Sequence, residues 1–226
     1  MSDGSAIAGS FSEWLDGYQR VQSQRGHGAD VPCGECNACC RSSYFIHIEA
    51  DERETLRRIP RTYLARAPRP HERDAIMDHD GRGRCPMLEG DGCTIYNHRP
   101  QTCRKYDCRA FAAAGISLGS GPRREVNRRV WQWRFDYATE VDARRHCAVR
   151  AAATFLQAHG ELIPEPLRPS EPGQLAKAAV AVHELFLEAE ASPPFATTSP
   201  SDNELADAIV RRLQRLTDSP EVGDHR

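Results

Sequence analysis

A run of four cysteines within eight residues, CGECNACC at positions 33–40, most constrains how this chain can fold. Cys33, Cys36 and Cys39 have two residues between each pair, and tight turns at this spacing direct neighbouring sulfurs toward one centre. Cys40 is different, because the side chains of adjacent residues diverge and do not easily reach the same metal. We therefore expect one of the two adjacent cysteines to face a second centre, or a neighbouring metal in a larger cluster.

A second set of four cysteines follows between residues 85 and 108. Seven, nine and four residues separate them, which matches no common zinc finger. Together the two sets provide enough thiols for two four-thiolate sites or for one polynuclear site. The predicted metal ligands are Cys33, Cys36, Cys39, Cys40, Cys85, Cys93, Cys103 and Cys108.

The identity of the metal is left open between iron and zinc. Soft thiolate ligands exclude magnesium and calcium, but zinc and iron–sulfur clusters accept four thiolates at similar spacings. The C-x2-C-x2-C run favours iron, because the same run provides three ligands of the clusters in bacterial ferredoxins. Ser43 stands where the fourth ferredoxin ligand would be, so the fourth ligand must come from elsewhere in the chain.

The charge and hydropathy of the sequence exclude some classes of function and predict the cellular compartment of the protein. Thirty basic and 32 acidic side chains give a formal net charge of −2, which argues against a general nucleic-acid or membrane-surface binder. No segment approaches the roughly 18 apolar residues of a membrane span, and the N-terminus lacks signal-peptide features. We therefore expect a cytoplasmic protein, in which clustered cysteines bind metal rather than form disulfides. The arginine-rich composition points to a bacterial source, and a protein partner is left open.

The remaining sequence predicts a mostly helical chain around the cysteines. We expect an α-rich, metal-stapled domain at 1–160, with an N-terminal helix, an irregular cysteine-rich core at 33–108 and a long helix at about 124–158. The core contains one short β-hairpin, which turns at residues 90–92. Residues 161–226 provide a proline-rich connection and two amphipathic helices, which we expect to dock on the first part and back the core.

Three features give local predictions. Capping boxes at Ser10–Glu13 and Ser201–Glu204 predict the starts of the first and last helices. Cys147 lies within the long helix, without a partner cysteine nearby in sequence, so we expect it to be a small buried hydrophobe. Trp131 and Trp133 lie two positions apart in the same helix, so at least one of them should reach the core.

Three polar side chains stand among the cysteines of the second set: Arg99, Arg104 and Tyr106. We expect them to stabilise a negatively charged thiolate cluster by hydrogen bonds, and we predict them as cofactor-binding residues on that basis. The sequence contains no recognisable catalytic triad and no carboxylate pair for acid–base work. It therefore assigns no catalytic residue and leaves open whether the protein is an enzyme.

The segment from residue 33 to residue 108 closely resembles the YkgJ-type cysteine-cluster (CxxCxxCC) family, a zinc- or iron-chelating domain. The resemblance rests on CGECNACC and on GRCPMLEGDGCTIYNHRPQTCRKYDC, where both the cysteine spacings and the residues between them agree. It implies an eight-cysteine metal-binding domain, and family members are often described as iron–sulfur proteins. We therefore expect an iron–sulfur cluster, of the 4Fe–4S type, with a redox, electron-transfer or modification role.

Two alternatives to this function stay open. In the first, the same thiols hold zinc, and the protein is a structural or interaction module. In the second, the cysteine pattern is similar to that of bacterial flagellin lysine methylases, which methylate lysine with S-adenosylmethionine. That resemblance implies an iron–sulfur-dependent, protein-modifying enzyme whose substrate is a partner protein.

Overall fold

The computed structural model describes residues 5–24, 28–29, 31–66, 74–191 and 201–218. Helices dominate the described chain, as the sequence predicts, and short strands lie between them. The α-helices are α1 (Phe11–Ser23), α2 (Arg53–Arg58), α3 (Gln101–Lys105), α4 (Arg109–Ala114), α5 (Arg124–Gln132), α6 (Glu140–Ala158), α7 (Pro172–Val182), α8 (Glu184–Ala191) and α9 (Asp202–Asp218). The strands are β1 (Ala6–Ser10), β2 (Ile46–Ile48), β3 (Leu64–Arg66), β4 (Ala75–Met77), β5 (Leu88–Glu89), β6 (Gly92–Cys93) and β7 (Trp133–Asp136). Within these residues, no helix combines the length and the apolar composition needed to cross a membrane.

The chain divides into two compact units, each built from segments that are distant in sequence. The helical unit consists of residues 1–25, 108–117 and 132–226, and the cysteine unit consists of residues 26–107 and 118–131. Seven of the eight predicted ligand cysteines lie in the cysteine unit, and Cys108 lies in the helical unit. The sequence-based boundary near residue 160 stays a prediction about which part of the chain folds on its own.

The core of the helical unit forms where α6 packs against α1, α4 and α7. The contacting face of α6 is rich in small side chains, such as Ala148 and Ala152, which are both fully buried. The facing helix α7 buries Ala179 and Val180 in the same way. Small side chains at a helix contact allow the two axes to approach closely. The stability of this unit therefore comes mainly from apolar helix faces that cover one another.

The single long helix predicted at about 124–158 is wrong. The structure divides this segment into α5, β7 and α6, and β7 pairs with β1 in parallel. Thr139 then begins α6 with a capping box, because its hydroxyl accepts from the Asp142 amide and the Asp142 carboxylate accepts from the Thr139 amide. The apolar periodicity of the sequence runs through this break. Only pairing with a strand that is distant in sequence reveals where the helix stops.

The capping box predicted at Ser10–Glu13 is also wrong. Ser10 is the last residue of β1, and its side chain makes no capping hydrogen bond to α1. Instead, the amide of Ser12 donates to Asp142 Oδ1 at 3.1 Å. Asp142 is only 3% exposed, and it satisfies amide groups at the starts of both α1 and α6. One carboxylate therefore joins two segments that are 130 residues apart.

Asp142 provides a prediction of pH-dependent stability. Hydrogen bonds from Ser12 and then from Thr139 lower the pKa of Asp142 to about 2. A depressed folded-state pKa contributes stability above the unfolded value of about 3.9, and this contribution disappears as the pH falls through the folded-state pKa. We expect Asp142→Asn to lower the midpoint temperature of unfolding at neutral pH, and the difference from wild type to shrink toward pH 2. Thermal unfolding followed by circular dichroism measures both.

The control for this experiment is Asp207→Asn, on the exposed side of α9. We expect this variant to unfold like the wild type at every pH. A loss of stability in Asp142→Asn that is equally large at neutral and at acid pH would show that the carboxylate charge is not the cause.

The C-terminal helices dock within the helical unit. Helix α7 packs on α4 and α6, and α9 packs on α7 and α8. The capping box predicted at Ser201–Glu204 is confirmed, because the Ser201 amide and hydroxyl donate to the Glu204 carboxylate while the Glu204 amide donates to the Ser201 hydroxyl. Ile209 of α9 is fully buried. The same chain thus covers the part of the predicted amphipathic face around Ile209, whereas Leu216, near the end of the helix, is 51% exposed.

Two further local predictions have different outcomes. Trp133 is 4% exposed and Trp131 is 55% exposed, which confirms that at least one of the pair lies in a core. The prediction for Cys147 is wrong, because this cysteine is exposed on α6. The next residue, Ala148, belongs to the buried face of α6, and Cys147 lies just outside that face.

The cysteine unit has a small apolar core and little regular structure. Strands β2, β4 and β3 form an antiparallel sheet in that order. The hairpin predicted with its turn at residues 90–92 is confirmed, because β5 and β6 pair antiparallel with Leu88 opposite Cys93. The buried residues of this core are Ile48, Ile59, Met77, Met87 and Ile95. Cys85 and Cys93 pack against these side chains, so the cysteines and the apolar core are adjacent.

Candidate metal centre

The first cysteine run folds into two successive turns. The amide of Cys36 donates to the carbonyl of Cys33 at 3.0 Å, and the amide of Cys40 donates to the carbonyl of Asn37 at 2.9 Å. The second turn continues as a short 3₁₀ helix that carries Cys39 and Cys40. The local sequence thus presents four sulfurs from a compact stretch of backbone.

Hydrogen bonds join this run to the first cysteine of the second set. The amide of Cys85 donates to the carbonyl of Cys40 at 2.8 Å. Ser43 has a φ of 52°, and its amide and hydroxyl donate to the carbonyl of Gly83 at 3.0 and 3.2 Å. These bonds place the backbone of Cys40 beside that of Cys85, although 44 residues lie between the two cysteines.

Gly83 is required at this junction for two reasons, and its replacement is a second testable prediction. Its φ is 75°, and an added Cβ would lie 2.4 Å from the hydroxyl oxygen of Ser43. Left-handed backbone costs a non-glycine residue about 1–2 kcal/mol, and the clash with Ser43 adds to this. We expect Gly83→Ala to destabilise the cysteine unit by at least this amount and to accelerate the loss of bound metal to a chelator.

The chain offers a matched control in Gly81. A Cβ at Gly81 meets nothing within 4 Å, and the φ of this glycine is outside the left-handed region. Gly81→Ala should release metal at the wild-type rate. If both variants release metal equally fast, the junction between Ser43 and Gly83 is not what holds the two cysteine sets together.

Three side chains connect the first run with the hairpin that ends in Cys93. Asn37 Nδ2 and Arg41 Nη2 each donate to Asp91 Oδ1 at 3.1 Å, and Arg41 Nη2 also donates to the carbonyl of Gly90 at 3.2 Å. Asp91 is 84% exposed, so water screens the pair, and such a bridge contributes at most about 1 kcal/mol. Its role is therefore to orient the hairpin rather than to supply much stability.

Cys103 lies on α3, and Glu52 fixes the start of that helix. The amide of Gln101 donates to Glu52 Oε1 at 2.7 Å, and Arg104 Nη2 lies 3.6 Å from the same oxygen. A carboxylate at a helix N-terminus satisfies a free amide and interacts favourably with the helix dipole. This arrangement gives Cys103 a defined position on the first turn of α3.

Hydrogen bonds link the sulfur of Cys40 to the sulfurs of Cys39 and Cys85. These bonds decide which of the three thiols ionises most easily. The bond with Cys40 lowers the pKa of Cys39 to about 7, and it likewise lowers the pKa of Cys85 to about 7. The pKa of Cys40 is raised, first because of its bonds to these two sulfurs and then because of burial. One cysteine from each set is therefore close to ionisation at neutral pH.

The remaining thiols belong to the same electrostatic cluster. Cys33 is exposed as a residue, but the surrounding protein partly desolvates its thiol and raises its pKa to about 11, and the nearby thiolates of Cys39 and Cys36 add to the effect. Burial also raises the pKa of Cys103, which is raised further by three thiolates, those of Cys39, Cys85 and Cys93. Thiolates that repel one another in this way favour a bound cation, which removes the repulsion.

The structure thus brings together seven of the predicted ligands, all in the cysteine unit. Cys33 and Cys39 are exposed, and the other five members are half-buried. In the part of the chain that the structure describes, no group of three or more His, Cys, Asp or Glu side chains is already arranged to hold a single metal ion. The seven thiols therefore form a cluster without a preformed single-ion site.

Of the three predicted cofactor-binding residues, Arg99 acts electrostatically to lower the pKa of nearby thiols. Burial raises the pKa of both Cys93 and Cys103, and the guanidinium of Arg99 opposes this rise. Arg99 is held by Tyr96, because its Nη1 donates to the Tyr96 carbonyl at 3.0 Å and its guanidinium lies 4.1 Å from the centre of the Tyr96 ring. A fixed cation near the thiols favours their ionised form.

The other two predicted cofactor-binding residues, Arg104 and Tyr106, contact other side chains and backbone groups of the cysteine unit. Arg104 pairs with Glu52 at the start of α3, and its carbonyl accepts from the amide of Ala29 at 2.7 Å. The hydroxyl of Tyr106 lies 3.2 Å from that of Tyr44. The role of Arg104 and Tyr106 toward a cofactor stays a prediction.

Cys108, the eighth predicted ligand, lies in the helical unit and is 8% exposed. Its sulfur accepts a hydrogen bond from Nε1 of Trp133 at 3.1 Å. The sequence predicts a core position for at least one of Trp131 and Trp133 but does not indicate a partner for the indole nitrogen. The two residues are 25 positions apart, and only the pairing of β7 with β1 brings Trp133 into this part of the fold.

Comparison with known proteins gives one match. Residues 32–128 match the family model described as "CxxCxxCC: Putative zinc- or iron-chelating domain". No curated protein and no solved structure is significantly similar to the chain. The matched segment contains all eight predicted ligand cysteines and leaves out Cys147. Residues 32–128 are therefore similar to a cysteine-rich domain that is described as zinc- or iron-chelating.

Proposed function

We propose that this protein binds an iron–sulfur cluster, of the 4Fe–4S type, and serves in a redox, electron-transfer or modification reaction. The proposed ligands are the eight cysteines between residues 33 and 108. When bound, such a cluster accepts and releases single electrons. Eight thiolates are sufficient for two four-thiolate clusters, so the iron content per chain is itself informative.

The observation that carries the proposal is the arrangement of the seven thiols in the cysteine unit. They are close enough to influence one another's pKa, as Cys103 does with Cys39, Cys85 and Cys93. A polynuclear cluster fits this number of neighbouring thiols, because it takes one thiolate on each of its irons.

The protein's own residues favour loading of such a centre at neutral pH. Cys39 and Cys85, with pKa values of about 7, provide thiolates without a strong base. Arg99 offsets part of the cost of ionising Cys93 and Cys103. Because Cys33 and Cys39 are exposed, metal can reach the thiols from solvent.

Anaerobic purification tests the proposal most directly. We expect broad visible absorption, acid-labile sulfide, and about four irons per chain for one cluster or about eight for two. Cys147→Ser is the control, because Cys147 lies outside the matched segment and should not change the iron content. A colourless protein that carries zinc and no sulfide would contradict the proposal.

A structural zinc module is the second candidate, because the family description covers zinc as well as iron. In that case the metal content is zinc and the protein has no reversible redox chemistry. The resemblance to flagellin lysine methylases stays a hypothesis about the kind of modification. It is tested by incubating the iron-loaded protein with S-adenosylmethionine and candidate protein substrates.

A further inference from the structure

The excess positive charge of the cysteine unit is concentrated in one short segment. Residues 26–107 contain 13 basic and 13 acidic side chains, which balance each other. Residues 118–131, the other part of the same unit, contain four arginines and one glutamate. The formal excess of positive charge in the unit therefore comes from this segment alone.

Helix α5 presents part of this charge to solvent. The side chains of Arg124 and Arg128 are 73% and 68% exposed, and Trp131 is 55% exposed. Their spacing of four and three residues places the three on one side of the helix, which we call the arginine face. Val126 and Val130, on the opposite side, are 1% and 2% exposed. Burial of these two valines fixes the helix, so the arginine face has a defined orientation.

The arginine face lies close to the first cysteine run. Nη2 of Arg129, on the same helix, donates to the carbonyl of Pro32 at 3.4 Å, and the next residue is the exposed Cys33. Desolvation raises the pKa of Cys33, and the charge of Arg129 opposes that rise. A molecule bound to the arginine face would therefore be near one exposed thiol of the proposed metal centre.

Glu125 leaves the two exposed arginines available to a partner. Its carboxylate lies 2.5 Å from Nη2 of Arg128 and 3.6 Å from Nη2 of Arg124. Exposed ion pairs of this kind are weak, because water and salt screen them. One carboxylate also cannot balance two guanidinium groups, so both arginines can exchange Glu125 for the carboxylates of another molecule.

We propose that the arginine face is the docking surface for an acidic protein that exchanges single electrons with the metal centre. This inference rests on the proposed function. One electron passes between the two proteins, so that the donor is oxidised as the cluster is reduced, and no bond forms or breaks. A charged patch raises the rate of association with a protein of opposite charge. Trp131 adds an exposed aromatic ring, a side chain that is enriched at protein interfaces.

The small size of the charged segment favours a protein over a nucleic acid as the partner. A nucleic-acid-binding domain carries basic side chains along a whole face, because it must neutralise several phosphates. In this unit the excess charge is confined to residues 118–131, and the charges of residues 26–107 balance. Interfaces between electron-transfer proteins are small, and one helix face can provide a large part of such an interface.

The test measures how fast two one-electron donors reduce the purified holoprotein. Reduced flavodoxin is a small acidic protein, whereas the methyl viologen radical is a small cation. We expect the rate with flavodoxin at low salt to fall about tenfold in Arg124→Glu/Arg128→Glu, and to fall in the wild type as salt is added. The rate with methyl viologen should not fall. Iron and sulfide are measured on each protein to show that the cluster is intact.

The matched control is Arg57→Glu/Arg58→Glu, on α2 of the same unit. These two exposed arginines pair with Glu54, as Arg124 and Arg128 pair with Glu125, and the change in charge is the same. We expect this variant to react with flavodoxin at close to the wild-type rate. If Arg124→Glu/Arg128→Glu fails to fold, Arg124→Gln/Arg128→Gln takes its place and should show a smaller decrease in the same direction.

The outcomes separate this inference from the proposed function. If the wild type contains an iron–sulfur cluster but the two double glutamate variants react equally fast with flavodoxin, the inference is wrong and the proposed function stands. The same conclusion follows if Arg124→Glu/Arg128→Glu slows both donors, because the defect then lies in the cluster.

Two other occupants of the arginine face are tested with the same variant. Binding of a duplex oligonucleotide at physiological salt, or self-association of the protein, that is lost in Arg124→Glu/Arg128→Glu would assign the face to a nucleic acid or to a second copy, and would overturn the inference. If the wild type holds zinc and no sulfide, the inference and the proposed function are both wrong.

Discussion

Replacing Cys36 or Cys103 by serine, or removing the metal with a chelator, is expected to unfold the cysteine unit. The apolar core of this unit is small, and Cys85 and Cys93 are packed directly against it. A metal site that does not exist in the unfolded chain contributes its binding free energy to folding, about 10–16 kcal/mol for structural zinc in small peptides. This contribution is as large as the whole stability of a typical domain, which is about 5–15 kcal/mol.

Hydrogen exchange followed by mass spectrometry measures this unfolding separately in each part of the chain. We expect protection to be lost in α2, β4 and α3 when the metal is removed. The matched control is Cys147→Ser, which should retain both the metal and the protection. If the chelated protein keeps full protection in these elements, the metal has no structural role and the small core is sufficient by itself.

A chain that ends after Ile163 is expected to lose the folded state of the helical unit. The truncation removes α7, α8 and α9, which cover α4, α6 and one another. The larger buried side chains lost are Leu175, Val180, Val182, Phe186 and Ile209. Burying one such side chain contributes about 1.5–3 kcal/mol, so together they match the stability of a typical domain.

Size-exclusion chromatography and thermal unfolding measure the effect of this truncation. We expect aggregation, and exposure of the core that includes Trp133, which tryptophan fluorescence reports. We also expect the seven cysteines at 33–103 to keep bound metal, because they lie outside the helical unit, whereas Cys108 is the one proposed ligand inside it. A chain that ends after Asp218 keeps all of α9 and is the control. A soluble, monomeric shorter chain that has lost a binding partner would show that the C-terminal helices serve that partner instead.

Several features of the candidate site are readable from the sequence because they depend on local spacing. The turns at Cys36 and Cys40 follow from the short intervals between the cysteines, and the hairpin follows from Gly90-Asp91-Gly92. No local sequence pattern predicts the ion pair between Arg41 and Asp91. Its partners are 50 residues apart, and many acidic residues in the chain have the same chemistry.

The sequence by itself determined that this protein carries a cluster of thiols suited to a metal, and that most of the chain is helical. Thiol spacing and helical periodicity are properties of neighbouring residues, so they can be recognised in the sequence without knowledge of the fold. Only the tertiary structure decided that Trp133 begins a strand, that Asp142 serves two helices, and that Cys108 faces an indole. The physical reason is that these features depend on contacts between distant segments. A hydrogen bond between residues 130 positions apart cannot be predicted from the local sequence of either segment.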